Sequence, residues 1–411
     1  GATPQSTGTK GDHFVGDYYV RFNDEYKKQV EELISGGMAK ELAEKEAPIM
    51  KGTQQMLLDW ENGKPDVMEL WKKMNGWVYE GFDVTYKRIG SDFAKMYYES
   101  ETYIPGKKFV EEGLKTGVFF KKEDGSVWID LTADGLDEKL VLRKDGTSVY
   151  ITQDLGLAQE KYEDFKYDQS IYVIADEQNY HMKVLKLILQ RSGKPYADGI
   201  FHLSYGMVEL PSGRMKSREG TVVDADDMIA EMVTVAKNKT EELGKVKDFT
   251  EEELIELYDT IALGALKFFL LRVDPKKRMI FNPEESIDFH GFTGPFVQYT
   301  HARIKSILRK QATSNELRVP SPLLKLEKEL IILLEQYPTT IEQAVVEHNP
   351  SIIAIYIFNV AKLFNSFYTE HSVMKAESEE KKQLRLQIAA MTANVIASGM
   401  SLLGIKVPER M

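Results

Sequence analysis

The run Ile171-Tyr172-Val173-Ile174-Ala175 is short, apolar and rich in β-branched residues, a composition typical of a buried β-strand. After it, Leu185 and Leu189 lie on one apolar stripe of a predicted helix that extends from Asn179 to Ser192. Residues Phe201 to Val208 form the next predicted strand. A strand, a helix and a strand in this order predict a parallel sheet, and such sheets bind ligands at the carboxyl ends of their strands.

A basic loop follows the second predicted strand, with the sequence Gly213-Arg214-Met215-Lys216-Ser217-Arg218-Glu219-Gly220. Glycine allows the backbone to turn sharply and to approach a ligand closely. Arginine and lysine supply donors for phosphate oxygens. The loop can therefore hold a triphosphate while its α-phosphate is attacked. A solvated turn with ordinary surface charge is the alternative interpretation, and it is the commoner one for an isolated basic loop.

Four polar residues lie near the predicted strand ends. Tyr150 and Asp154 are four residues apart at a predicted strand-to-helix junction, so they face the same way if the helix has begun. A carboxylate beside a phenol can bind a guanidinium, although the commoner explanation of such a pair is an acid favoured by the helix dipole beside a packed tyrosine. Gln178 can donate and accept hydrogen bonds just after the first strand. His181 either contacts a nucleotide or is a structural histidine.

Two turns precede this region, and each is an Asp-Gly pair between apolar runs, which predicts a hairpin. Asp124-Gly125 joins residues 118–120 to 127–129, and Asp145-Gly146 joins residues 140–142 to 149–151. Glu25 to Trp60 has apolar positions at helical spacing, with a break expected at Gly36-Gly37. Asp66 to Asn75 and Gly81 to Tyr97 are predicted to be two further helices.

The chain beyond Ala225 is predicted to be almost entirely helical, with a domain boundary near residue 281. Phe296, Tyr299 and Arg303 share a face of the helix that follows Thr293. Aromatic rings beside a guanidinium can stack unpaired RNA bases, whereas the simpler alternative is an amphipathic core helix with a surface arginine.

Composition limits the classes of site and location. The chain has 411 residues, a formal net charge of −11 and no cysteine. Disulfides and thiolate metal sites are therefore excluded, we expect no protein-bound metal site, and a reducing cytoplasm is the expected location. The longest apolar stretch, Ile352 to Phe358, is shorter than the ~18 residues of a membrane span, so we expect no membrane association. The acidic total does not exclude a nucleic acid partner, because binding depends on where cations cluster.

Taken together, these motifs resemble arginyl-tRNA synthetases over essentially the whole chain. Each motif is weak alone, but their order along the chain matches the family. The matching segments are Gly11-Asp12-His13, Tyr98-Glu99-Ser100, Asp145-Gly146-Thr147-Ser148 with Tyr150 and Asp154, Gln178 with His181, Lys216-Ser217-Arg218, Thr293-Gly294-Pro295 through Arg303, and Leu363 through Tyr368.

The resemblance implies a two-part fold of class α/β plus all-α. Residues 1–280 would be a partial class I synthetase catalytic domain with a Rossmann-like nucleotide-binding fold. It would contain a helical insertion at about 12–130, the second half of the nucleotide-binding fold at about 131–235, and connecting helices to 280. Residues 281–411 would be an all-helical anticodon-binding domain.

The resemblance also implies roles for individual residues in an arginine–tRNA ligase. ATP with Mg²⁺, arginine and tRNA(Arg) would be the substrates and partners, and the enzyme would be a monomer. The implied assignments are Lys216 and Arg218 as catalytic residues, Tyr150, Asp154 and Gln178 for arginine, His181, Lys216 and Ser217 for the nucleotide, and Phe296, Tyr299, Arg303 and Met411 for tRNA.

One family motif is missing from the chain. The His-x-Gly-His-like signature of the nucleotide-binding fold does not occur, and the amino-terminal domain of the family is absent as well. We therefore expect a carboxyl-terminal fragment that is inactive or weakly active. The alternative function is a non-catalytic RNA-binding module that uses only the helical domain. A cysteinyl-type synthetase is disfavoured, because its zinc site needs cysteine ligands.

Overall fold

The computed structural model describes residues 1–209, 224–242, 244, 248–309 and 322–411. The basic loop with Lys216, Ser217 and Arg218 lies outside these described residues. The described chain is mostly helical, with small sheets in its first three quarters.

Six helices form the first part of the chain. They are α1 (Pro4–Thr7), α2 (Gly11–Ser35), α3 (Lys40–Glu46), α4 (Pro48–Glu61), α5 (Pro65–Ile89) and α6 (Glu99–Thr116). The break at Gly36-Gly37 is confirmed. The expectation of two helices between residues 66 and 97 is wrong, because α5 is continuous through Gly81. This glycine serves close packing instead, since a Cβ there would collide with the Asp12 side chain of α2.

Three short strands follow in one antiparallel sheet, and they are β1 (Phe120–Lys121), β2 (Val127–Ile129) and β3 (Lys139–Leu142). The hairpin around Asp124-Gly125 is confirmed. The second predicted hairpin is wrong, because β3 pairs with β2 and helix α7 (Tyr150–Phe165) begins where the returning strand was expected. After the Asp145-Gly146 turn the chain pairs back only through an isolated bridge between Leu142 and Ser148.

The predicted strand–helix–strand unit is confirmed. It consists of β4 (Ser170–Ala175), α8 (Asn179–Arg191) and β5 (Ile200–Tyr205), and the two strands are parallel, with Ile171 opposite Phe201. Leu155, Leu185 and Leu189 are buried in the core on one side of this strand pair. On the other side, Ile171 is 44 % and Val173 is 63 % exposed, so this face of the pair is largely uncovered among the described residues.

The next elements lead to the helical domain. They are β6 (Val208–Glu209), α9 (Ala225–Glu242), α10 (Glu251–Leu271), β7 (Met279–Ile280) and α11 (Pro283–Ser286). Strands β6 and β7 are parallel and pair Val208 with Met279, which ties the chain just before the basic loop to the chain just before the predicted domain boundary. The boundary near residue 281 stays a prediction.

Five further helices form the last part, and they are α12 (Gly294–Leu308), α13 (Lys325–Glu335), α14 (Tyr337–Glu347), α15 (Ser351–Glu370) and α16 (Glu379–Leu402). Among the described residues α15 alone is long and apolar enough to cross a membrane by length and composition. In this structure α15 is a core helix, since Ile357, Val360 and Phe364 are fully buried in the largest apolar cluster.

A buried ion-pair network joins α13 to α16. Glu327 is 0 % and Arg385 is 1 % exposed, and Arg385 Nε donates to Glu327 Oε1 at 3.0 Å. Arg385 also donates to the carbonyl of Ser372 and to Glu377, while Lys381 donates to Glu327. Burial opposes ionisation of Glu327, but these hydrogen bonds outweigh it and lower the pKa of its carboxyl. Both charges are therefore compensated inside the helical domain.

The carboxyl-terminal segment, residues 403–411, docks on α12 through hydrogen bonds to its backbone carbonyls. Gln298 Nε2 donates to the carbonyl of Lys406 at 2.8 Å. His301 Nδ1 donates to the carbonyl of Pro408 at 2.9 Å, so this nitrogen carries a proton. Burial lowers the pKa of His301, and the hydrogen bond to Pro408 only partly offsets that effect.

We expect Glu327→Ala to lower the free energy of unfolding of the helical domain by about 3–5 kcal/mol, because Arg385 would keep a buried, uncompensated charge. Chemical denaturation measures this change. Glu335→Ala, on the exposed face of the same helix, is the matched control and should change stability by about 0.5 kcal/mol or less. Equal effects of the two substitutions would contradict the structural role of the network.

We expect acid to reduce the contribution of His301 to the stability of the folded protein. The folded-state pKa is lowered, so the folded state favours the neutral ring. The unfolded chain therefore binds more protons than the folded protein does. The resulting contribution of His301 to the free energy of unfolding is complete above the unfolded pKa of about 6.5 and decreases as pH falls below it. The difference in unfolding free energy between the wild type and His301→Asn should therefore be larger at pH 7.5 than at pH 5.5. A difference that does not change with pH would contradict this prediction.

Candidate functional site

Close helix packing fixes the position of α7, which carries two of the predicted arginine ligands. A Cβ on Gly106 of α6 would collide with the Thr152 carbonyl oxygen, and a Cβ on Gly156 would collide with the backbone of Gly106. The Thr152 hydroxyl donates to the carbonyl of Val141 in β3 and accepts from the Val149 amide. The start of α7 is therefore held against α6 and β3 together.

The structure brings Asp154 and His181 into direct contact. Asp154 Oδ2 and His181 Nε2 are 2.6 Å apart, and they join α7 to the first turn of α8. Both side chains are about one-third exposed, with values of 34 % and 28 %. The family resemblance implies different ligands for these two residues, and their contact was not predicted, because 27 residues separate them along the chain.

The other two residues of this region lie at the ends of the same helices. Tyr150 is 77 % exposed and precedes Asp154 by four residues, so the two lie on the same side of α7. Gln178 is exposed immediately before α8, and its side chain makes no hydrogen bond to another described residue. We call Tyr150, Asp154, Gln178 and His181 the α7 site.

A partly buried lysine follows Asp154 on α7. Lys161 is seven residues after Asp154, donates to Ser170 Oγ at 2.8 Å, and its Nζ lies 4.0 Å from the centre of the Tyr172 ring. Burial lowers the pKa of Lys161, and the Asp154 carboxylate opposes that effect. Burial also raises the pKa of the Tyr172 hydroxyl, which keeps it neutral. The Asp154 carboxylate therefore contacts a histidine directly and interacts electrostatically with a lysine of the same helix.

A second candidate site lies along α12, whose start was predicted correctly. The Thr293 hydroxyl accepts from the Phe296 amide at 3.3 Å, and Pro295 occupies the first turn. Arg303 lies with its Cζ 4.7 Å from the centre of the Tyr299 ring and 5.8 Å from that of Tyr368.

Tyr299, Arg303 and Tyr368 line a groove of about 400 Å³ between α12, the end of α15 and the carboxyl-terminal segment. We call it the α12 groove. Its other lining residues include Asp248, Phe249, Arg309, Arg410 and Met411. Sequence reasoning missed Phe249 and Arg410, since they lie far from α12 in the chain, and Arg410 reaches the groove with its Cζ 4.4 Å from the centre of the Phe249 ring. The groove thus combines three arginines with aromatic surfaces.

Phe296 is not brought together with the other predicted RNA contacts. Its ring packs against Phe358 at 5.2 Å and lines a different hollow, of about 560 Å³, on α12 and α15. Tyr299, Arg303 and Met411 all line the α12 groove. The structure therefore groups three of the four residues.

A third cluster has the composition of a metal site but is an ion-pair network. Asp12, His13 and Asp226 have potential ligand atoms within 4.8 Å of one another. Lys10 Nζ lies 2.5 Å from Asp226 Oδ2 and 2.9 Å from Asp12 Oδ2, so an ammonium supplies the positive charge there. The cluster holds the start of α2 against the start of α9, just after the basic loop.

Two family models match this chain in succession. The one described as "tRNA synthetases class I (R), catalytic domain" matches residues 17–282. The one described as "DALR anticodon binding domain" matches residues 297–411. Together they include the α7 site and most of the α12 groove.

Curated relatives match the whole chain. This chain is 53 % identical over 416 residues to the arginine–tRNA ligase of Bacteroides thetaiotaomicron. The alignment covers 100 % of this chain and 70 % of that protein. The chain is 54 % identical over 410 residues to the ligase of Flavobacterium psychrophilum, with coverage of 100 % and 68 %.

Solved structures show the same fold. The arginyl-tRNA synthetase of Thermus thermophilus aligns with a TM-score of 0.75 at 23 % identity, over 96 % of this chain and 73 % of that one. That of Plasmodium falciparum aligns with a TM-score of 0.74 at 18 % identity, over 89 % and 64 %. The predicted fold class, with a class I synthetase catalytic domain followed by a helical DALR domain, is confirmed.

The comparisons also decide between the predicted functions. The chain matches a catalytic domain, and its relatives over the whole chain are arginine–tRNA ligases, which supports the ligase over a non-catalytic RNA-binding module. The expectation of an inactive fragment is not borne out. The class I fold implies ATP as a substrate. The chain belongs to the class I arginyl-tRNA synthetases, the ligases that join arginine to tRNA.

Proposed function

We propose that the α7 site binds the arginine substrate and that Asp154 pairs with its guanidinium. The observation that carries this assignment is a partly exposed carboxylate on α7, held by His181 beside an exposed tyrosine. A carboxylate can accept two parallel hydrogen bonds from the planar guanidinium, which the ammonium of lysine cannot donate. Tyr150 and Gln178 supply further polar contacts at the open side of the site.

The chemistry consists of two transfers. The arginine carboxylate attacks the α-phosphate of ATP, forms arginyl-adenylate and releases pyrophosphate. A terminal ribose hydroxyl of tRNA then attacks the activated carbonyl and releases AMP. Catalysis in this scheme comes mainly from positioning and from stabilisation of the developing charge.

We propose that Lys216, Ser217 and Arg218 contact the phosphates of ATP, which arrives as its complex with Mg²⁺. Two described features support this assignment for a loop outside the described residues. The chain enters the loop from β6, which pairs with β7, and leaves it into α9. Asp226, at the start of α9, is held by Lys10, which caps the start of α2. Both ends of the loop are thereby anchored to the catalytic domain.

We propose that the α12 groove contacts tRNA on its anticodon side. Arg303 donates to Asn365 Oδ1 and lies against Tyr299 and Tyr368, so its guanidinium is oriented beside two aromatic rings. Such surfaces stack unpaired bases, and Arg309 and Arg410 can contact the phosphates that link them. Phe296 is a weaker candidate, because its ring is partly covered by Phe358.

A monomeric enzyme in the cytoplasm is also part of the proposal. The absence of cysteine from the chain supports a reducing compartment. Size-exclusion chromatography with light scattering tests the oligomeric state.

We expect Asp154→Asn to lower kcat/KM for arginine by the equivalent of about 2–4 kcal/mol, because the substrate cation would lose a charged partner. Steady-state charging of tRNA with arginine measures the change. Glu163→Gln is the matched control, since it removes one exposed acid from the same helix away from the site. An unchanged KM for arginine together with an unchanged kcat would remove Asp154 from the arginine site.

We expect Tyr299→Ala to weaken tRNA binding by about 1–3 kcal/mol through loss of one stacking surface. Tyr299→Phe keeps the ring and should retain most of the affinity. Filter binding at fixed ionic strength measures both variants, and circular dichroism confirms that they are folded. If a folded Tyr299→Ala protein binds tRNA with wild-type affinity, the face of α12 serves packing alone.

A further inference from the structure

The contact between Asp154 and His181 uses only part of the carboxylate. His181 approaches Oδ2 at 2.6 Å, and Oδ1 makes no hydrogen bond to another described residue. A carboxylate accepts and never donates when ionised, so His181 Nε2 carries the hydrogen of this contact. The neighbouring helix therefore anchors one lone-pair site of Oδ2, and Oδ1 together with the second site of Oδ2 is available to a ligand.

We propose that His181 is a positioning residue for arginine recognition, which acts by fixing the plane of the Asp154 carboxylate. The torsion that rotates a carboxylate about its last bond has broad, shallow minima, so an unsupported aspartate samples many orientations. Two parallel hydrogen bonds to a guanidinium require one orientation. The bond from His181 selects it before the substrate arrives. This inference rests on the proposed role of Asp154 in binding arginine.

The position of His181 in the fold suits this task. It lies in the first turn of α8, and the packing of α8 on the strand pair fixes its backbone through the buried Leu185 and Leu189. Asp154 is likewise fixed by the packing of α7 on α6. The two side chains meet between two rigid helices, and both remain partly exposed. Supporting a ligand-binding carboxylate from a second rigid element preorganises a site.

The contact argues against a primary role of His181 in binding the nucleotide. The Nε2 atom is engaged by Asp154, which leaves only Nδ1 for any other partner. The two roles predict different kinetic effects. A residue that orients Asp154 affects the KM for arginine, whereas a nucleotide ligand affects the KM for ATP.

Two substitutions of similar polarity separate the contact from the residue. Glutamine places its amide nitrogen at about the reach of Nε2, so His181→Gln can still donate to Oδ2. Asparagine is one methylene shorter, so His181→Asn removes the contact and keeps a polar side chain. We expect His181→Asn to raise the KM for arginine by roughly tenfold, the effect of losing one hydrogen bond to a charged group. His181→Gln should raise it by less than about threefold if the bond is re-formed.

The same assays of tRNA charging give the KM for ATP and kcat. Both should change by less than about twofold in either variant, because a uniform loss of arginine binding raises only the KM for arginine. His202→Ala, in β5, is the control for the loss of another histidine from the same strand–helix–strand unit. His202 Nε2 contacts the carbonyl of Ile174 at 3.0 Å, and its removal should leave the KM for arginine unchanged.

A double substitution tests whether His181 acts through Asp154. In an Asp154→Asn background, His181→Asn should cause no further rise in the KM for arginine, because the carboxylate it orients is gone. Independent, multiplying effects would overturn the inference. A wild-type KM for arginine in His181→Asn would also overturn it, as would a rise in the KM for ATP alone. Either of these two results would leave the proposed role of Asp154 in arginine binding intact. If Asp154→Asn itself leaves the KM for arginine unchanged, the proposed arginine site and this inference fail together.

Discussion

The close packing of α6 against α7 is the constraint on which the α7 site depends. Gly106 and Gly156 let the two helices approach so closely that any side chain at either position would collide with backbone. The hydroxyl of Thr152 ties the same helix start to β3. With α7 held from two sides, the position of Asp154 follows, and the neighbouring helix α8 brings His181 to it. A rigid frame of this kind can hold a carboxylate in the geometry that a planar cation requires.

The helical domain builds its groove by a different route. The buried, hydrogen-bonded pair of Glu327 and Arg385 joins α13 to α16. The carboxyl-terminal segment docks on α12 and adds Arg410 and Met411 to the groove that α12 and α15 line. The groove is thus assembled from segments that are distant in sequence. Its three arginines lie in a chain whose net charge is −11, so cations cluster locally on this protein although its total charge is negative.

The two halves are also in direct contact. Gln298 of α12 donates to the carbonyl of Thr260 in α10 at 3.0 Å, and the ring of His348 stacks on Phe201 of β5 with centroids 4.2 Å apart. His348 has a left-handed backbone, with φ of 49°, at the junction of α14 and α15. The helical domain therefore contacts the strand pair of the catalytic domain as well as the helices that follow it.

Local sequence determined much of this protein. The strand–helix–strand unit, the turn at Asp124-Gly125, the break at Gly36-Gly37 and the cap of α12 at Thr293 follow from periodicity and turn chemistry, which act between near neighbours. The order of the motifs was enough to indicate the family. The start of α7 was missed as a second hairpin, because the alternation of Val149 and Ile151 fits a strand equally well. Only tertiary packing decides there, through the bond from Thr152 to β3.

Tertiary structure alone decided which residues meet. The pairing of Asp154 with His181, the approach of Arg410 to the α12 groove and the separation of Phe296 from Tyr299 depend on contacts between segments far apart in the chain. The sequence specifies these residue types and their order. Their relative positions arise from the packing of helices and from buried hydrogen bonds, which depend on the whole fold and have no local sequence pattern.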